Sequence, residues 1–426
     1  MATVALLGTL DTKGEEYAYM RARVEQAGSA VLMINAGVMA DPDYRVDFTR
    51  ADVAAAAGSD LGELTAADRG RAVAIQARGA AAIVRELFVA DRVQGLLGMG
   101  GSGGSSIVST AMRQLPIGVP KLLVSTMASG DTSPYVDISD VTMMYPVVDL
   151  AGINQLSARI LANAAAAISG MARGYEAYHR SDSGRPLVGA TMYGTTTTCV
   201  DAAREWLEEH GYEVLVFHAT GPGGRSMEAL MESGHITAAL DVTTAELMGE
   251  IAGGTMTAGP DRLETAGKLG LPQVVAPGGT DQIAFRPPSA VPADFRERHS
   301  YEHNHAITLV RSNAEEMASF GRLIAGKLNR ATGPVAVFVP LRGFSEYDAP
   351  GGVFCDPVAD QALIEALRNH LDRKVERIEM DTHINDPEFA VAMARKLDEL
   401  YHSWGPIPGD RARGDMVSRP KEVSDV

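Results

Sequence analysis

The stretch Val93–Ile107, V-Q-G-L-L-G-M-G-G-S-G-G-S-S-I, constrains this chain more than any other. A short apolar run (Val93, Leu96, Leu97) enters a loop with glycine at 98, 100, 101, 103 and 104, and Ser105, Ser106 and Ile107 read as the opening of a helix. Glycine lets consecutive backbone N–H groups face inward without a side chain in the way, and a helix N-terminus adds the positive end of its dipole. A strand, a glycine turn and a helix in that order belong to an α/β sheet and form a cup for an anion such as phosphate. No Lys-Ser/Thr pair closes the loop as in a Walker motif, and the spacing is not G-x-G-x-x-G. A tight crossover with no ligand is the competing reading.

The opening residues repeat the order. Thr3–Leu7 reads as a strand, Gly8–Lys13 as a turn, Gly14–Ala27 as an amphipathic helix stopped by Gly28, and Ala30–Ile34 as the next strand. A parallel βαβ unit requires this sequence of elements. It returns at Leu187–Met192, the turn Tyr193–Thr198, a helix Val200–Glu209, Gly211 and the strand Glu213–Phe217. Further expectations are a helix Ala66–Phe88, a strand Lys121–Val124 feeding Ser125–Asp131, and an Ala-rich helical stretch Asn154–Tyr178. The fold class expected is α/β, with two doubly wound, mostly parallel, three-layer Rossmann-like domains facing across a cleft. The polar stretch Arg180–Pro186 separates residues 1–180 from 187–405, and residues 406–426 read as a polar tail without apolar periodicity.

With 426 residues there is room for two cores, and a net charge of −16 disfavours nucleic acid. No apolar run reaches the roughly 18–20 residues that span a bilayer, so no membrane partner is expected. The N-terminus lacks a basic n-region and reads as a buried strand, and two cysteines without C-x-x-C fit a reducing cytoplasm.

In the first half, Asp11, Thr12 and Lys13 lie at a strand-to-helix turn, where hydroxyl and ammonium reach phosphate and the carboxylate reaches Mg²⁺ through water. The alternative is a helix cap with a solvated lysine. Arg69 is either a phosphate clamp or an exposed helix arginine. Asn35 ends the second strand where dinucleotide folds place an acid for the ribose, which counts against an NAD-dependent dehydrogenase.

The motifs Gly8–Lys13, Asp68–Gly70, Gly98–Gly104, Leu115–Lys121 and Ser125–Gly130 together resemble an uncharacterised bacterial family. That family is similar to the N-terminal inhibitory domain of the tomato mosaic virus resistance protein, an ATP-binding domain. Further matches run through His218–Gly221, Asp241–Glu246 and His383–Asp386. The resemblance implies two domains, ATP with Mg²⁺ in the first, and a homodimer. It places the nucleotide contacts on Asp11, Thr12, Lys13, Arg69, Gly101, Ser102, Gly103 and Gly104.

The second half sets polar groups at strand ends. His218 precedes a glycine loop that carries Arg225, a pair suited to a small anionic metabolite. Asp241 and Glu246 flank another strand end, and Asp281 a third. His299, His303 and His305 offer three readings: a metal pair on one helix face (His299 with His303), a hydrogen-bonded cluster, or acid–base chemistry. The cluster is preferred to metal. Ser345 lacks the G-x-S-x-G setting of a nucleophile and reads as a binding hydroxyl beside Asn385. The catalytic set expected is His218, Asp241, Glu246, His303 and His383, with Arg225, Asp281, Ser345 and Asn385 holding substrate and no metal ligand assigned. The rival expectation is a non-catalytic, nucleotide-responsive binding protein.

Overall fold

The computed structural model describes residues 1–178 and 184–404. The linker residues 180–183 and the tail 406–426 singled out above lie outside the described residues. The chain divides into two compact units, Met1–Ser181 and Asp182–Val426.

In the first unit, β1 (Thr3–Gly8), β2 (Ala30–Asn35), β3 (Gly95–Gly100), β4 (Lys121–Ser125) and β5 (Thr142–Met144) form one sheet. Its order is β2-β1-β3-β4-β5 and every pairing is parallel. Runs such as V-A-L-L and K-L-L-V-S are apolar on both faces because helices cover both sides of a parallel sheet. Leu6, Met33 and Leu97 pack one face against the helices Leu10–Gln26 and Gln155–Ala177, with Tyr17 and Leu161 buried. Leu7, Ile34 and Leu96 pack the other face against Arg69–Val89 and Ser102–Met112. The result is the expected three-layer, doubly wound arrangement.

Several boundaries differ from expectation. The helix expected at Ala66–Phe88 is two pieces, Leu61–Ala66 and Arg69–Val89, because the Asp68 side chain accepts the Arg71 amide at 2.9 Å and restarts the chain as an N-cap. The first helix begins at Leu10 rather than Gly14, with Lys13 off helical geometry (φ −130°). Gly98 and Gly100 belong to β3, and the next helix starts at Ser102, earlier than the Ser105 expected.

The order places a switch point between β1 and β3, where successive connections leave in opposite directions. The strands part there. Tyr17, fully buried, inserts its hydroxyl, donating to the Leu7 carbonyl (2.5 Å) and accepting the Met99 amide (2.8 Å). Gly8 has no side chain because a Cβ would strike that ring. Tyr17→Phe leaves both backbone groups buried without partners, so chemical denaturation should show a loss of about 1–3 kcal/mol.

The second unit repeats the plan. β6 (Leu187–Met192), β7 (Glu213–His218), β8 (Ala238–Thr243), β9 (Gln273–Gly278), β13 (Val335–Pro340) and β14 (Glu376–Met380) form a parallel sheet of order β14-β13-β9-β8-β6-β7. Counted from its own first strand, this is the same winding as the first unit, with its switch between β6 and β8. An excursion between β9 and β13 adds β10 (Gln282–Phe285), β11 (Ser300–Asn304) and β12 (Ile307–Arg311) as an antiparallel sheet of order β10-β12-β11. Helices Ala314–Leu328 and Pro357–His370 cover one face around Phe320, Val337 and Leu363; Thr197–Glu209 and Pro387–Trp404 cover the other around Leu207, Phe338 and Phe389. Among the described residues no helix is long and apolar enough to cross a membrane.

Candidate functional site

At the first unit's switch point the glycines sort into two kinds. Gly98 and Gly100 are bare because β3 lies against the following helix: a Cβ on Gly98 would meet Val108, and one on Gly100 would come within 2.9 Å of the Gly104 Cα. Gly101 and Gly103 have no such reason. A Cβ there would stand 3.8 Å from the Thr126 hydroxyl and 4.0 Å from the Arg69 guanidinium, with nothing nearer. Neither glycine has a positive φ. Gly101 caps its helix without a side chain, and among the described residues no hydrogen bond closes on the amides of Ser102, Gly103 and Gly104. The N-terminus of the neighbouring helix brings Arg69 beside the same turn, and Thr9 lies 4.0 Å from a Cβ built on Gly104. Open amides, a helix start, two hydroxyls and one guanidinium suit phosphate oxygens.

Two expected members are elsewhere. Lys13 donates through Nζ to the Leu150 carbonyl. Asp11 accepts the Val38 and Met39 amides at 2.8 and 2.9 Å, so its carboxylate fastens the loop after β2. Asn35 is equally occupied, accepting from Leu10 and Gly37 amides and donating to Asp41. Thr12 pairs its hydroxyl with Thr9 at 3.1 Å. The groove of about 530 Å³ on this flank is lined by Asp11, Glu15, Glu16 and Asp43, which repel phosphate. The residues that gather at the open amides are therefore Gly101–Gly104, Arg69, Thr9 and Thr126. The last two escaped sequence reasoning, since only the fold brings them to the glycines. A nucleotide's phosphates fit this backbone. Among the described residues no three His, Cys, Asp or Glu side chains are grouped to hold a metal by themselves, and a magnesium ion accompanying a nucleotide is held chiefly by phosphates and water.

In the second unit the polar strand ends turn inward. Asp241 and Glu246 converge on Arg262, a fully buried side chain that sequence reasoning missed. Arg262 donates to both Asp241 oxygens at 2.6 Å and to Glu246 at 2.7 Å, and Glu228 lies 3.5 Å away. Glu246 also accepts the amides of Gly221 and Gly224, at 2.6 and 3.1 Å, so an internal carboxylate fills the glycine loop read as an anion site. Thr191 donates to Asp241 at 2.6 Å. These carboxylates are placed to hold β6, β8 and the loop after β7 together rather than to meet substrate. His218 and Arg225 are exposed nearby, and His218 lies against the Tyr193 ring at 5.7 Å.

Burial, opposed by Arg262, pushes Glu228 up to about 7 from the ordinary carboxylate value of 4.5. The folded form therefore holds a proton that the unfolded chain releases near pH 4.5. The associated stability is complete below pH 4.5 and is lost as pH rises through 7, by about 3 kcal/mol. Urea midpoints should fall across that window, and Glu228→Gln should flatten the fall.

The remaining expected residues are bound to backbone or to one another. His383 donates from Nε2 to the Ser345 carbonyl (2.8 Å) and accepts the Asn385 amide at Nδ1 (3.2 Å), leaving neither ring nitrogen for proton transfer. Ser345, buried, donates to Asp281 at 2.7 Å, and Asn385 spans the Thr195 carbonyl and the Cys199 amide. Burial pushes Asp281 up, partly offset by Arg311. His299 and His303 do not share a helix: His303 is on β11 and His299 just precedes it. Four residues of strand span about 13 Å, too far to chelate one ion. His303 instead meets the Tyr347 hydroxyl at 3.2 Å and His299 the Phe354 ring at 5.7 Å. Cys199 is buried, which pushes its thiol up to about 12 and removes it as a nucleophile.

Two units of like winding, the first with bare amides at its switch point, define a doubly wound, two-domain α/β protein. The chain belongs to the uncharacterised protein family UPF0261: residues 2–177 match its N-terminal domain and residues 185–401 its C-terminal domain. A UPF0261 protein of Clostridium tetani is 48% identical over 396 residues, covering 92% of this chain and 98% of that one. The ToMV resistance protein Tm-1(GCR237) of Solanum lycopersicum is 40% identical over 338 residues, 78% of this chain and 45% of that protein. The chain thus spans about half the length of that tomato relative. The UDP-GlcNAc 2-epimerase from Neisseria meningitidis, solved bound to UDP-GlcNAc, covers 95% of this chain at 10% identity and a TM-score of 0.23, too distant to carry an argument.

Proposed function

We propose that the first unit binds ATP, its phosphates resting on the amides of Ser102, Gly103 and Gly104 and on Arg69. The observation that carries this reading is the pair Gly101 and Gly103, bare where neither packing nor φ requires it. The family resemblance to an ATP-binding inhibitory domain supports the choice of nucleotide. The non-catalytic reading, a nucleotide-responsive binding protein acting as a homodimer, is favoured over an enzyme of anionic metabolites. Its support is that Asp241, Glu246 and His383 are all committed to internal partners, which leaves His218 and His303 as the exposed members of the expected catalytic set. The resistance role in the tomato protein's name is not carried over.

Titration calorimetry with ATP-Mg tests the site. Arg69→Ala removes a charge-assisted contact of about 1.5–3 kcal/mol, a loss of roughly ten- to a hundredfold in affinity. Lys13→Ala should change affinity by less than about threefold, because that ammonium is spent on Leu150. Equal loss in both variants would return the nucleotide to the chain's opening turn. Sedimentation with and without ATP-Mg reads the dimer, and phosphate release reads turnover; steady release by wild type would overturn the non-catalytic reading.

A further inference from the structure

The open amides at Gly101–Gly104 adjoin the groove of about 530 Å³ beside the helix Leu10–Gln26, a volume in the range that holds small molecules. Hydroxyls join the two: Thr9 stands 4.0 Å from a Cβ built on Gly104, and it meets at 3.1 Å the hydroxyl of Thr12, which lines the groove. The ends differ in electrical character, amides and Arg69 at one and carboxylates at the other, so a triphosphate fits only the first. Two further features point to a neutral, hydroxyl-bearing occupant in the groove. Gly14 lines it without a positive φ, and a Cβ there would meet Pro42 at 3.8 Å and the Tyr44 ring at 3.9 Å, ordinary contact distances. Neither backbone nor packing demands glycine, as at Gly101 and Gly103; the missing methyl preserves room between the helix and the loop after β2, which Tyr44 ties across by donating to the Gly14 carbonyl at 2.9 Å. The second feature is a division among the carboxylates. Asp11 and Glu16 are spent on the amides of Val38, Met39 and Gly152. Glu15 and Asp43 are exposed and, among the described residues, make no hydrogen bond or ion pair. An ionised carboxylate only accepts hydrogen bonds, so this pair calls for hydroxyl donors.

We propose that this groove seats the ribose of the nucleotide, with Glu15 and Asp43 accepting its vicinal 2′ and 3′ hydroxyls. The assignment rests on the nucleotide reading above. It supplies what Asn35, occupied by Leu10, Gly37 and Asp41, does not: an acid for the sugar. The bound nucleotide then has one orientation, phosphates toward Gly101–Gly104 and sugar toward Asp43, and the site selects ribonucleotides.

Calorimetry on the full chain, with Mg²⁺ throughout, compares ATP, 2′,3′-dideoxy-ATP and inorganic tripolyphosphate. Removing both hydroxyls should cost wild type about tenfold or more in affinity. Glu15→Gln and Asp43→Asn should each narrow the gap between ATP and its dideoxy analogue, while tripolyphosphate binds no more weakly than before. Gly14→Ala should weaken ATP severalfold, leave tripolyphosphate unaffected and melt no lower than wild type. Equal affinities for ATP and the dideoxy analogue would overturn the ribose seat, as would a gap that survives both carboxylate substitutions. Tripolyphosphate binding that Arg69→Ala weakens would in either case leave the phosphate site standing. If none of the three ligands binds, the nucleotide reading falls and this one with it.

Discussion

Asp241→Asn is expected to lower the stability of the second unit by about 3–5 kcal/mol, the usual cost of breaking a buried ion pair from one side. Asp241 accepts two bonds from Arg262 and one from Thr191. The amide can accept at only one atom, and its NH₂ would face guanidinium N–H groups. Thr191 also accepts the Thr243 amide, so the disturbance reaches the joint between β6 and β8. Chemical denaturation followed by fluorescence measures the loss. A change below about 1 kcal/mol, within the range of ordinary surface substitutions, would mean the cluster does not hold the sheet. A catalytic role for Asp241 would then be open again.

Gly103→Ala should have the opposite profile, a protein slightly more stable and much poorer at binding ATP. Gly103 is the second residue of the helix Ser102–Met112, and an added Cβ meets only the tip of Arg69. Alanine there should add about 0.5–1 kcal/mol through helix propensity. The same methyl stands where phosphate must approach the amides, and a tenfold loss of affinity corresponds to about 1.4 kcal/mol. Gly100→Ala is the contrasting control, since its Cβ would press within 2.9 Å of Gly104 and weaken the fold itself. Thermal melts and ATP titrations on both variants separate the effects. Unchanged ATP affinity in Gly103→Ala would remove the phosphate from this helix.

The layered fold was readable because parallel strands covered on both faces are continuous apolar runs, as in V-A-L-L and V-A-V-F-V, and because Gly28 and Gly211 punctuate matching βαβ units. The division among the glycines was not. Whether Gly98 serves packing or ligand depends on Val108 across the crossover, a contact set by the fold. Arg262 was silent for a related reason: it sits in G-P-D-R-L-E, a stretch without periodicity. A signal did exist, because Asp241 and Glu246 lie within apolar runs, L-D-V and A-E-L-M, and buried carboxylates require a cation. Of the three readings of the histidine segment, the metal pair on one helix face could have been set aside by period, since His299, Tyr301, His303 and His305 alternate by two, the pattern of a strand.

The excursion that carries β10 to β12 has a consequence for how this architecture tolerates change. β9 and β13 are direct hydrogen-bonded neighbours, Val335 beside Gln273, so the parent sheet is complete without the small one. Growth or trimming at the hairpin tip, Asn304 to Ile307, therefore leaves the central scaffold untouched. The limit comes at the hairpin's base, where Arg311 is pinned to Asp348 and Asp360. Tip remodelling is a means of altering an outer surface, whereas edits at the base reach the interior.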